Sequence, residues 1–224
     1  MKSSLPRFLC DPVLQEIEVE HGFGTRGAEP PAATARPQQV HGNVVARFDL
    51  GSGASPPEAD AILCRVGGQS VAVVTADCIP ILVASGDGRC VAAVHAGWRG
   101  LARGVIREAV GALTDWGFGD LRAAIGPHAR ACCYEVDAPV LDALGECFGS
   151  VLDQAVRPTR PGHVLLDLQS LALEALTQSG IHSAHRGTVA ASCTVCHPER
   201  FDSFRRDGAQ AGRMVHWVRP RRDA

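Results

Sequence analysis

The chain has 224 residues, a formal net charge of −2 and a 46% apolar fraction. That length supports one domain with a substantial core, residues 1–224. No basic block and no long apolar run is present, so neither a nucleic acid nor a membrane is expected as a partner.

The elements read as follows in chain order. Ala28 to Pro37 is a Pro/Ala loop without periodicity, and Gly51 to Glu58 is another. Between them Gln39 to Phe48 reads as a strand. Ala61 to Val66, Ser70 to Ala76, Pro80 to Ser85 and Cys90 to His95 are short, β-branched-rich strands. Ser85-Gly86-Asp87-Gly88 is a turn signal that makes the last two a hairpin. Leu101 to Trp116 carries apolar residues at helical spacing and is closed by Gly117. Leu121 to Ile125 is a strand halted by Gly126-Pro127, and Ala138 to Phe148 a helix; Val151 to Arg160 is ambiguous. Asp167 to Ser179 is a second clear helix, with Asp167 as N-cap and Gly180 as stop. Val189 to Ser192 reads as a short strand presenting Cys193, and Met214 to Val218 as the last strand. Strands and helices mix without regular βαβ alternation, which predicts an α+β fold.

The nine cysteines are an odd number, and Met1 to Cys10 lacks the apolar core of a secretory signal. They read as reduced thiols in a cytoplasmic protein, most of them small buried hydrophobes; Cys64 and Cys90 fit that description.

Chemistry concentrates between Val71 and Gly104. Two apolar runs end in reactive residues, Cys78 after Thr75-Ala76-Asp77 and His95 before Ala96-Gly97-Trp98-Arg99-Gly100. His41, in Gln39-Val40-His41-Gly42, is a third candidate. Two imidazoles and a thiolate are the donor set of a zinc site with an open fourth position. The spacing is not a local metal motif, so two core histidines and a buried thiol are the competing reading. Asp77 and Asp60 each read either as orienting a ligand histidine or as capping a turn. Gly97 to Gly100 opens a helix, where backbone N–H groups and Arg99 suit an anion; the alternative is a tight turn with Trp98 in the core. Arg26 and the pair Arg205 and Arg206 are further anion candidates, the pair also reading as ordinary surface charge. His128, after Gly126-Pro127, is expected at the rim as a general base, a substrate contact or an acid, with a plain surface turn histidine as the competing reading. Of vicinal Cys132 and Cys133 one is expected in the core. Cys193-Thr194-Val195-Cys196 has CxxC spacing but no second CxxC, so Cys196 reads as packing. None of the nine histidines forms a His-x-His pair, which disfavours a multicopper cluster.

HGFGTR (21–26), QVHG (39–42), ADAI (59–62), TADCIPIL (75–82), AVHAGWRG (93–100), AIGPHARACCYEV (124–136) and CTVCHPERFDSFRRDGAQAGRM (193–214) occur in this order. In these segments the chain resembles the laccase-domain family, regarded as purine nucleoside phosphorylases and formerly as multicopper polyphenol oxidases. The resemblance implies a layered α/β/β/α sandwich with mixed sheets. It implies zinc on His41, Cys78 and His95, with copper as the less favoured metal, and Cys193 as a wall of the site. Asp77 and His128 would join the catalytic group, and Arg26, Arg99 and Arg205 the phosphate site. Purine nucleosides and phosphate would be the partners of a monomer or homodimer. The substrates implied are adenosine, inosine, guanosine and S-methyl-5'-thioadenosine, with adenosine deamination as a second reaction. A Cys-His hydrolase acting on cell-wall precursors and a copper polyphenol oxidase are the alternatives. The chain departs from the family pattern after Arg26, where Gly27-Ala28-Glu29-Pro30 replaces a longer segment, and at Asp202 and Phe204, where aromatic residues are usual. The first departure would leave the purine pocket more open or lined by a partner chain.

Overall fold

The computed structural model describes residues 7–48, 56–189 and 193–222. The first half of the chain forms β1 (Phe8–Leu9), α1 (Pro12–Gln15), β2 (Glu20–Gly24), β3 (Val45–Phe48), β4 (Ala61–Cys64), β5 (Val71–Thr75), β6 (Ile79–Ser85), β7 (Val91–Ala96), α2 (Trp98–Ala102) and α3 (Val105–Asp115). The second half forms β8 (Leu121–Ile125), β9 (Glu135–Asp137), α4 (Ala138–Phe148), α5 (Ser150–Ala155), β10 (Val156–Pro158), β11 (His163–Leu166), α6 (Leu168–Gln178), β12 (Arg186–Thr188), α7 (Phe204–Asp207) and β13 (Met214–Arg219).

The expected α+β class with layered, mixed sheets is the observed one. A six-stranded sheet runs β12-β8-β6-β7-β4-β3, with parallel pairs at both edges and antiparallel pairs inside. A four-stranded sheet runs β1-β2-β13-β5, and a three-stranded one β10-β11-β9. The large sheet is apolar on both faces because both are covered. Leu63, Ile81, Val83, Ala92, Val94 and Ala123 pack with helix residues such as Leu101, Ile106, Leu113, Leu144 and Leu171. Their neighbours Ile62, Leu82, Ala84, Ala93 and Ala124 point the other way and meet Phe23, Val71, Val73 and Val218 of the small sheet. No helix among the described residues is long and apolar enough to cross a membrane.

Local chemistry explains where the elements depart from the expected ones. The hairpin β6–β7 forms on its predicted turn, where the Ser85 hydroxyl donates to Asp87 over 2.6 Å. The helix predicted over 101–116 is broken instead. Gly104 adopts φ 78°, a left-handed conformation that ends α2 and lets α3 start in a new direction. The strand predicted over 39–48 shortens to β3, because the N–H groups of residues 40–42 are drawn to a carboxylate described below. The ambiguous 151–160 stretch divides into α5 and β10. Asp167 caps α6 as expected, its Oδ1 accepting from the Ser170 N–H. Of the strand predicted over 189–192 only Val189 lies within the described residues, and the loop predicted over 51–58 is described only from residue 56.

Gly126, just past β8, sits where the two sheets meet. A Cβ there would lie 2.1 Å from Phe23 Cδ1 and 2.8 Å from Pro80 Cγ. Gly126→Ala should therefore destabilise the fold by about 1–3 kcal/mol, the usual range for overpacking. Urea unfolding followed by tryptophan fluorescence measures this; an unchanged midpoint would contradict the close packing of Phe23 on this glycine.

Candidate metal centre

Strand register brings the central residues together. Pairing of Ile79 with Ala96 and Pro80 with His95 sets Cys78, one residue before β6, beside the end of β7. Pairing of Ala61 with Val94 sets Asp60 opposite His95, and the His95 N–H donates to the Asp60 carbonyl over 2.7 Å. Asp60, His95 and Cys78 thus line up at one end of the large sheet.

His41 reaches this row from a loop. Asp60 is fully buried, and its carboxylate accepts the backbone N–H groups of Val40 (3.2 Å), His41 (2.9 Å) and Gly42 (2.6 Å). Its Oδ1 also accepts from His95 Nδ1 over 2.8 Å. That bond holds the ring and leaves Nε2, the nitrogen on the Cys78 side, as the one that could ligate a metal. His41, at φ 58°, stands edge-on to His95 with ring centroids 4.8 Å apart. The donor atoms of His41, Cys78 and His95 all lie within 4.8 Å of one another.

The electrostatics favour a thiolate. Burial alone pushes the Cys78 thiol up, but hydrogen bonds from His41 and His95 and their charge outweigh it, so it falls to about 6. Burial opposes protonation of His95; the Asp60 and Cys78 hydrogen bonds prevail and raise it to about 9. Gly97 keeps the centre open, since a Cβ there would lie 2.9 Å from Cys78 Sγ and 3.4 Å from His41 Cδ2. Two imidazoles, a readily ionised thiol and a carboxylate behind one imidazole suit one first-row metal ion with nitrogen and sulfur ligands. The other ligand group among the described residues is all cysteine, so no imidazole cluster for several coppers is present there.

The remaining candidates are placed differently. Asp77, at φ 91°, does not orient a histidine. Its carboxylate accepts from Thr194 Oγ1 (2.6 Å), Ser203 Oγ (3.0 Å) and the Arg205 N–H (2.7 Å), so it ties the 194–205 segment to the turn carrying Cys78. His128 is not at the rim but 1% exposed. Burial pushes it down to about 4, and Nδ1 donates to the Gly126 carbonyl, so at neutral pH it is a neutral imidazole whose one N–H is engaged. Arg26 pairs with Asp202 at 3.3 Å and Asp207 at 3.7 Å, so these two carboxylates are its counterions. Arg99 lies over the Trp98 ring at 4.3 Å. Arg205 lies over the Tyr134 ring at 4.6 Å and donates to the Glu135 carbonyl. Arg206 is not surface charge: it holds the carbonyls of Thr194, Val195 and Phe201 and pairs with Asp207. Cys193 faces Cys132, Cys133 and Cys196, and Cys132 and Cys196 are exposed, not packed in the core.

Sequence reasoning does not single out Tyr134. It is buried and lies within electrostatic reach of Cys78, Arg205, Asp77 and Arg99. Burial first, then the Cys78 charge, raises its phenol to about 12, so it is a donor at neutral pH. Its place in Cys132-Cys133-Tyr134-Glu135-Val136, a segment shared with the family, is the one signal the sequence carries for it.

Two outcomes are expected. Asp60→Asn replaces a histidine acceptor by an amide and should weaken metal binding about 10–100-fold, measured by competition with a chromophoric chelator; unaltered affinity would show that Asp60 does not tune the centre. In metal-free protein, Cys78 has a depressed pKa, so its thiolate persists at neutral pH and is lost as pH falls through about 6. Its alkylation rate should have its midpoint there, against about 8.5 for an ordinary thiol.

The family model described as multi-copper polyphenol oxidoreductase laccase matches residues 22–221. A Xylella fastidiosa (strain 9a5c) protein named purine nucleoside phosphorylase is 42% identical over 190 residues, spanning 81% of this chain and 70% of that one. The crystal structure of Neisseria meningitidis protein NMB0706 is similar with TM-score 0.76 and 33% identity, over 84% of this chain and 75% of that one. YlmD from Geobacillus stearothermophilus is similar with TM-score 0.85 and 26% identity, over 99% and 98% of the two chains.

Proposed function

The chain belongs to the multi-copper polyphenol oxidoreductase laccase family, and from that premise we propose that it is a zinc-dependent purine nucleoside phosphorylase of broad specificity. Adenosine, inosine, guanosine and S-methyl-5'-thioadenosine are its proposed substrates, with adenosine deamination as a second activity. The observation that carries the reading is the centre of His41, Cys78 and His95, with Asp60 hydrogen-bonded to His95. The relatives named purine nucleoside phosphorylase support the reaction class.

In phosphorolysis a phosphate oxygen bonds to C1' of the ribose as the C1'–N9 bond breaks, and the electron pair leaves with the purine, which takes up a proton. His41, Cys78 and His95 would hold zinc, which when bound would supply Lewis acidity for a phosphate or water oxygen. Asp60 keeps the Nδ1 proton of His95, so that Nε2 is the nitrogen that would ligate the metal. Arg99 and Arg205 offset phosphate charge, and Arg26 can do so in exchange for Asp202. Tyr134, protonated at neutral pH, is a hydrogen-bond donor for an anionic oxygen. His128 is buried and not a cation at neutral pH, so the proton for the purine comes from water or from hydrogen phosphate.

A second reading has one observation in its favour. The depressed Cys78 thiol between two histidines is also a nucleophile–base arrangement, as in a Cys-His hydrolase. Metal decides between them, because a thiolate that ligates zinc resists alkylation and a free one does not.

Protein of known metal content, incubated with adenosine with and without phosphate, should give adenine and ribose 1-phosphate only when phosphate is present. His95→Ala should reduce this to background while circular dichroism stays native. Inosine as the sole product would make the protein a deaminase, and full activity of a metal-free sample would refute the zinc mechanism.

A further inference from the structure

The turn at Cys193-Thr194-Val195-Cys196 has a partner that its spacing does not reveal. The partner is not a second CxxC but the vicinal pair Cys132-Cys133, in the turn after β8. All four sulfurs lie within 4.8 Å of one another. Cys196 Sγ is 3.7 Å from that of Cys132 and 3.2 Å from that of Cys133. A zinc ion with four sulfurs at about 2.3 Å separates them by about 3.8 Å, so the cluster is already close to a tetrahedral ligand set.

The backbone around Cys193 fits a thiolate, whereas burial and the neighbouring sulfurs push the metal-free Cys132 and Cys133 thiols up. Cys193 Sγ accepts backbone N–H groups from Arg130, at 3.4 Å, and from Val195 and Cys196. Those N–H dipoles stabilise a negative sulfur, and a CxxC turn folded back on its first sulfur is a chelating half-site. The exposed Cys132 and Cys196 give an ion a way in. Cys196 touches both sulfurs of the vicinal pair, so no single disulfide pairing is singled out.

We propose that Cys132, Cys133, Cys193 and Cys196 form a second metal centre that binds Zn²⁺ through four thiolates, separate from the centre at His41, Cys78 and His95. Binding forms four Zn–S bonds and releases the four thiol protons to solvent, with no change of oxidation state. The ion rivets the 129–134 turn to the 193–196 turn. Thr194 in the second turn hydrogen-bonds Asp77, beside Cys78, and Tyr134 ends the first. The tetrathiolate centre is therefore a strut behind the rim of the candidate active site, with no open position for substrate.

The test is elemental zinc analysis of the purified full chain, of His41→Ala, and of Cys132→Ser/Cys196→Ser. About two zinc ions per chain are expected in the first and about one in each variant. Retention of about one ion by His41→Ala, lost on adding the double serine change, supports the proposal even if the first centre is empty. One ion in the parent chain and none in His41→Ala overturns it. Should the serine variant not fold, His41→Ala can be stripped by chelator and titrated with Co²⁺; strong sulfur-to-cobalt charge transfer with saturation near one ion supports the site, and its absence overturns it. Non-reducing peptide mapping gives a further independent reading: a Cys133–Cys196 or Cys132–Cys196 disulfide in freshly purified protein counts against the metal, and chelator-dependent alkylation of all four thiols counts for it.

Discussion

Asp60 has no contact with solvent, and its two carboxylate oxygens accept from three consecutive backbone N–H groups and one imidazole. A buried carboxylate is tolerable only when it is fully hydrogen-bonded, and here the hydrogen bonds that satisfy it build the metal centre. Three of them bend residues 40–42 out of a strand and hold His41 in its left-handed conformation. The fourth holds the ring of His95. The ionised form is favoured in return: burial works against it, but His95 and the backbone N–H groups hold the carboxyl below its ordinary range. Removing the charge would release the loop and the ring together.

Asp77 plays the corresponding part on the other side of Cys78. It is the second non-glycine residue near the centre with positive φ, and its carboxylate gathers Thr194, Ser203 and Arg205. Cys78 is thus fixed by strand register on one flank and by a carboxylate-held return of distant chain on the other. Backbone strain of this kind persists where the surrounding contacts over-determine it, as they do here.

The sequence discloses the ligands better than their supports. Cys78 and His95 stand out because apolar runs end at them, and the hairpin that pairs their strands announces itself in Ser85-Gly86-Asp87-Gly88. Asp60 is legible only as one of two aspartates with equal standing, because its donors come from loop and strand residues 18 to 35 positions away. The split of the 101–116 helix is hidden by an unbroken apolar spacing; a single glycine φ overrides it. The strand β2 escapes sequence reasoning because Glu20-His21-Gly22-Phe23-Gly24 has little β-propensity, and its glycines are there for close approach, a Cβ at Gly24 falling 2.4 Å from the Val215 carbonyl oxygen. The four-thiol cluster is invisible to spacing rules, since its halves lie more than 60 residues apart and only one is a CxxC.

The small sheet has a consequence for how the molecule is made. Its strands β2 and β5 do not pair with each other; each pairs with β13, which lies between them. A ribosome delivers the chain from its N-terminus, so β2 and β5 emerge long before the strand that joins them. The large sheet has no such wait for its four inner strands, β8, β6, β7 and β4, which are all made by Ile125. During synthesis the strands carrying Cys78 and His95 can therefore assemble while Phe23, Val71 and Val73 still lack Val218, their partner in the core between the sheets. For that interval an apolar sheet face is open to other proteins in the cell, and it closes only when Met214–Arg219 arrives.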